Sequence, residues 1–157
     1  MPTPTVMTRS RTYPVAADDA FTRMLPMPLE DIFDQRHGPL PPITRVEQDG
    51  VWSTTGQVRT IHTSDGGEMR EELTSVEAPR RFTYELTPQG GPMKPLIARV
   101  EGEWTFAPVG TGCRITWTWT VHPTSGAAGV GLPVLRRFWQ GYARKALDRL
   151  EERLLAG

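Results

Sequence analysis

Two periods of alternation run through this 157-residue chain, and the point where one gives way to the other divides it. In RITWTWTV (114–121), Ile115, Trp117, Trp119 and Val121 share one parity, and Arg114, Thr116, Thr118 and Thr120 share the other. Successive side chains of an extended chain point to opposite faces, so this stretch predicts a strand with one apolar and one polar side. Further strands are predicted over 8–15, 43–48, 55–63, 68–78, 81–87 and 97–109. Turn signals separate them, notably Asp49-Gly50, Ser64-Asp65-Gly66-Gly67 and Gly110-Thr111-Gly112. From Pro133 onward the step lengthens. Leu135, Phe138, Trp139, Tyr142, Ala146, Leu150 and Leu154 recur every three or four residues, which predicts an amphipathic helix of about six turns.

Between the first strand and the second, Ala17-Asp18-Asp19 predicts a helix start with an acidic first turn, followed by Phe21, Met24 and Leu25 at helical spacing. Pro26 and Pro28 end that helix, and residues 29–33 predict a second short one. The order is therefore a strand, two short helices, about six strands and a long helix. Repeated βαβ crossovers are absent, so the sheet should be antiparallel and the class α+β. The terminal helix is the one element long enough to cover the apolar face, and a curved six- to seven-stranded sheet wrapped around it is expected.

Composition narrows the function without naming it. A content of 38% hydrophobic and 23% charged residues suits a folded globular chain, and the length suits one domain over residues 1–157. Zero formal net charge removes the field that would draw in nucleic acid. Cys113 is the single cysteine, which excludes an internal disulfide and a thiolate cluster. The first residues lack the apolar core of a signal peptide, and the run 126–135 is too short and glycine-rich to span a bilayer. A reduced cytoplasm is the expected setting, with no membrane insertion.

Three stretches carry a family resemblance. YPVAADDAFTRML (13–25) looks like a first strand running into a first helix, GEWTFAPVGTGCRITWTWTV (102–121) like the last two strands around their Gly-rich hairpin, and RRFWQGYARKALDRLEERL (136–154) like a closing helix. Together they resemble the helix-grip fold of the START, polyketide-cyclase and SRPBCC superfamily, over nearly the whole chain. The resemblance implies a cavity between the sheet and the C-terminal helix. Trp117 and Trp119 would face it, with Trp104 and Phe106 from the neighbouring strand, Phe82 and Tyr84 from the next, and Phe138 and Tyr142 from the helix. Rigid rings fill irregular space poorly, and buried hydroxyl and indole groups need partners that a guest can supply.

Chemistry-bearing candidates are few. His62 shares a face with Val58 and Thr60, while Ile61 occupies the other. His122 should point outward with the threonines, and His37 lies in a loop. Glu101 and Glu103 should face solvent. One of Glu71 and Glu72 should point inward, and Glu71 is the better choice because it shares parity with Met69 and Leu73. A desolvated carboxylate there would rise in pKa toward the range of a general base. Arg59 is a candidate to neutralise it or to hold a ligand oxygen, with a solvated surface position as the alternative. The Gly-x-Gly at 129–131 lacks a βαβ context, and no residue spacing resembles a metal site, so neither cofactor nor metal is expected. Residues 125–133 are read as a mobile entrance segment.

Three functions follow. The first is binding of a small hydrophobic or aromatic molecule in the cavity. The second is a polyketide cyclase or dehydratase type of enzyme, with His62 or Glu71 as base and Arg59 or Tyr84 as donor. The third is a groove for a partner chain. A homodimer is compatible with each.

Overall fold

A computed structural model describes residues 3–156. Seven strands form one antiparallel sheet: β1 (Thr5–Tyr13), β2 (Ile43–Glu47), β3 (Val58–Thr63), β4 (Glu68–Glu77), β5 (Arg81–Gly90), β6 (Ile97–Val109) and β7 (Gly112–Pro123). Their order is β1-β7-β6-β5-β4-β3-β2. This is the α+β architecture that the two periods predict, and the sequence alternation is the burial alternation. On β7, Cys113, Ile115, Trp117, Trp119 and Val121 are buried; on β6, Val100, Gly102, Trp104 and Phe106; on β5, Phe82, Tyr84, Leu86 and Pro88. The first strand begins earlier than expected, at Thr5, because Met7 continues the inward parity and is fully buried.

The strand order has a topological consequence. β1 and β2 lie at opposite edges, so residues 14–42 must carry the chain from one edge to the other. They do so through α1 (Ala17–Met24) and a single turn of 3-10 helix at Leu29–Asp31. Asp18 and Asp19 occupy the first turn of α1, but the cap position is Ala16 and no side chain caps the helix.

The long helix, α3 (Leu132–Leu155), buries Leu135, Trp139, Tyr142, Ala143, Ala146, Leu147, Leu150 and Leu154. It lies beside β1. Tyr13 Oη donates to the Leu147 carbonyl at 2.8 Å, Gln140 Nε2 donates to the Thr8 carbonyl at 3.1 Å, and Arg11 pairs with Asp148 and Glu151. Arg23 of α1 donates to the carbonyls of Arg153 and Leu154, meeting groups that the last turn of a helix leaves unpaired and adding a cation where the helix dipole is negative. Residues 125–133, expected to be a mobile entrance, instead contain a helical turn, α2 (Gly126–Gly129). Ser125 Oγ accepts from the Ala128 amide there, and the segment does not border the cavity described below. Cys113 is buried among apolar neighbours, which pushes its thiol pKa up.

Candidate functional site

The tryptophans form a packed unit. Trp104 and Trp117 are directly opposed in the β6–β7 register, and their rings stack 5.0 Å apart at an interplanar angle of 6°. Trp139 of α3 meets the Trp117 ring at 4.7 Å and the Trp119 ring at 6.0 Å. Phe33 closes on Trp117 at 5.1 Å. Where α3 crosses the sheet, the rings interlock, so the cavity expected between sheet and helix is filled at that point.

Two expected ligand-binding residues, Phe106 and Phe138, are not part of the cavity lining. Phe106 is 1% exposed and packs against Phe21 at 5.2 Å and Phe82 at 6.1 Å, as core under α1. Phe138 is 38% exposed and rests on Gly38, where an added Cβ would collide with its ring. At 100° per residue the inward direction of α3 falls on Leu135, Trp139, Tyr142 and Ala146, which leaves Phe138 on the flank.

The open space lies to one side. A cavity of about 100 Å³ separates the inner faces of β3, β4, β5, β6 and β7 from the crossing segment 24–43. Its walls include Phe82, Tyr84, Trp104, Trp117 and Trp119 from the sheet and Phe33, Leu40 and Pro41 from the segment; α3 contributes Tyr142 alone. The crossing segment, rather than the helix, is thus the wall that faces the strands. Met24, Met27, Met69 and Met93 also line it. Methionine side chains are flexible and polarisable, so this wall can adapt to a guest larger than the resting volume. An apolar cavity of about 150 Å³ holds a benzene ring, which sets the scale.

One end of the cavity is polar. Arg59 and Glu71 are paired in the β3–β4 register, both face inward, and they are 5% and 3% exposed. Arg59 Nε donates to Glu71 Oε1 at 2.6 Å and Nη1 to Gln48 Oε1 at 3.2 Å, while the guanidinium lies 3.9 Å over the ring of Trp52. Burial holds the Glu71 carboxyl above the ordinary carboxylate range, against the opposing pull of Arg59. Trp52, in the loop after β2, is 1% exposed. It belongs to a run without periodicity, so no hydrophobic pattern marks it as inward-facing.

Beside this pair stands Tyr84, whose Oη accepts from Trp117 Nε1 at 2.7 Å and from Trp119 Nε1 at 2.9 Å. Its ring lies flat across Gly102, the opposed residue on β6, where any side chain would overlap it. Glycine here serves close approach, not backbone conformation. Burial raises the Tyr84 hydroxyl above its ordinary pKa, the Glu71 charge adds to this, and the two indole donors and Arg59 pull the other way. Tyr142 Oη donates to the Pro41 carbonyl at 3.1 Å, tying α3 to the crossing segment.

His62 does not join the site. Ile61 and Arg59 take the inner face of β3, so His62 faces outward among Arg45, Glu47 and Glu68. It cannot act as a base in the cavity. His122 also faces outward and bonds Glu101 at 2.6 Å, and the His37 ring packs on Gly141. Glu72 pairs with Arg70 on the outer face.

Comparison with known proteins agrees with this architecture. The sequence model of a family described as polyketide cyclase/dehydrase and lipid transport matches residues 4–155. Norcoclaurine synthase from Thalictrum flavum, solved in complex with dopamine and hydroxybenzaldehyde, is similar at a TM-score of 0.72 and 16% identity, covering 98% of this chain and 87% of that one. Major latex-like protein 151 from Panax ginseng is similar at 0.67 and 12% identity, covering 97% and 98%. Protein Ms6760 from Mycobacterium smegmatis is similar at 0.62 and 17% identity, covering 93% and 88%. At these identities the likeness is one of fold. No curated protein matches the sequence.

Proposed function

This chain belongs to the polyketide cyclase/dehydrase and lipid transport family, and from that premise we propose that it binds a compact hydrophobic or aromatic molecule in the cavity lined by Phe82, Tyr84, Trp104, Trp117, Trp119 and Tyr142. The observation that carries this reading is the cavity itself: about 100 Å³, walled by rings and methionines, with the buried Arg59–Glu71 pair at one end. Guest sites of this kind are mostly apolar with a few fixed polar groups that set orientation. The resting volume lies below the roughly 150 Å³ that holds benzene, so a single ring requires the methionines to give and a fused polycycle requires far more. Norcoclaurine synthase, with its small aromatic ligands, is consistent with that size class. The test is titration of the five-tryptophan chromophore with a series of one-, two- and three-ring aromatics. The expected result is saturable quenching that is strongest for one ring; a series that leaves the emission unchanged at every size would overturn the reading.

A second reading is enzymatic, and one observation favours it. Glu71 is a buried carboxyl held above the ordinary range, in the cavity, beside donors able to hold an enolate oxygen. Under this reading Glu71 removes a proton from carbon next to a carbonyl. Deuterium uptake at that carbon, followed by proton NMR, should be accelerated by the protein and lost in Glu71→Gln, with His62→Ala unaffected. Uptake at the solvent rate with the native protein would leave binding as the function.

A further inference from the structure

Tyr84 has a hydrogen-bonding valence that the protein leaves incomplete. An indole N–H can only donate, and a phenolic hydroxyl has one proton and two acceptor positions. With Trp117 and Trp119 both donating to it, the acceptor positions are taken and the group remains a donor alone. Among the described residues, the side-chain hydrogen bonds of Tyr84 are these two, and neither uses its proton. Tyr84 is 6% exposed, so bulk water does not bathe it, and Tyr84, Trp117 and Trp119 all border the cavity. The ring cannot swing away to find an acceptor, because it lies on Gly102 with the two indoles at its tip. Donation from two indoles also polarises the O–H and strengthens it as a donor.

We infer that Tyr84 is the specificity-determining donor of the cavity and that the guest is a compact apolar molecule bearing a carbonyl oxygen, as a ketone, aldehyde or ester does. A carbonyl brings acceptor positions without a proton of its own, which is the complement of a hydroxyl left with only its proton to offer. The neighbouring Arg59–Glu71 pair carries no net charge, so it supplies no excess cation to select a carboxylate. This inference rests on the cavity-binding reading and adds the chemical class of the guest.

The probe pair is acetophenone and α-methylstyrene, which share a shape and differ by C=O against C=CH₂. Calorimetric titration of the native protein and of Tyr84→Phe measures the ratio of their affinities. The preference for acetophenone should fall about tenfold in the variant, the effect of one buried hydrogen bond lost from a paired donor. Tyr84→Phe strands two buried indole donors and can fail to fold. The infrared stretch of carbonyl-labelled acetophenone bound to the native protein therefore gives an independent readout. It should lie below its frequency in hexane. An unchanged affinity ratio, a carbonyl stretch at the hexane position, or binding of α-methylstyrene alone would overturn the inference while leaving cavity binding intact. Binding of neither probe would overturn both.

Discussion

At the scale of single residues, the Arg59–Glu71 pair carries the sharpest expectation. A buried ion pair is weak evidence for stability, since both charges have been taken out of water, yet removing one partner leaves the other uncompensated. Glu71→Gln should therefore cost about 3–5 kcal/mol, while the double change Arg59→Met with Glu71→Leu should be neutral or stabilising by about 1–4 kcal/mol. Urea unfolding of the three proteins checks this, and a double variant as damaged as the single one would mean the pair holds the fold together. Part of this pairing is legible in the amino-acid pattern alone. Arg59 shares parity with Ile61 and Glu71 with Leu73, while the register that makes 59 meet 71 is centred on Asp65, where the Thr63 amide donates to the Gly67 carbonyl. Two opposite charges on the apolar parity of one hairpin must neutralise each other. The facing of His62 is ambiguous in the pattern because β3 is short and Val58, on its parity, is an exposed apolar residue that mimics an inward face.

At the scale of elements, the crossing segment takes the part of cavity wall that the periodicity would assign to the helix. It is tethered along α3 by Tyr142 to the Pro41 carbonyl, by Lys145 Nζ to the Arg36 carbonyl at 2.8 Å and by Arg149 to Asp34 at 3.0 Å. The Tyr142 bond is the buried one. Tyr142→Phe should leave that carbonyl unpaired at a cost of about 1–3 kcal/mol, and amide exchange should quicken across residues 33–43 before it does in β6 or β7. Exchange that rises equally everywhere would show the bond to be a global support, not a local tether. The strands and α3 are readable because a period of two or of 3.6 states which way each side chain points. Residues 26–42 hold five prolines and, apart from the short helix expected at 29–33, no period; that they are an irregular connection is plain from this, and that they form a wall is not.

At the scale of the whole molecule, all three tyrosines are shielded by burial, and each has its hydroxyl pKa raised above the ordinary value of 10.0. A raised folded-state pKa means the folded chain holds its proton where the unfolded chain has lost it. The associated stability is complete below pH 10 and is lost as the pH climbs from there toward the folded values. Each tyrosine contributes a slope of about 1.4 kcal/mol per pH unit in that window, or about 4 for the three together. Phenolate absorbance should thus appear in one step with the loss of near-ultraviolet dichroism from the packed tryptophans. Tyrosine ionisation near pH 10 in a chain that keeps its dichroism would contradict the burial of these groups.

Alternation along the chain is enough to decide which side of each strand and helix is apolar, the antiparallel α+β class, and the inward position of Trp104, Trp117, Trp119, Tyr84 and Tyr142, because those follow from backbone geometry at the residue itself. The rest depends on distances between elements. Whether two inward rings touch or stand apart is set by how closely the elements approach, and small residues such as Ala143, buried on α3, and Gly102, under the Tyr84 ring, are absent from the hydrophobic pattern that marks the inward faces. Tertiary packing therefore closes the gap beneath the helix with Trp139, turns Phe138 and His62 outward, and leaves the space under the proline-rich crossing segment instead.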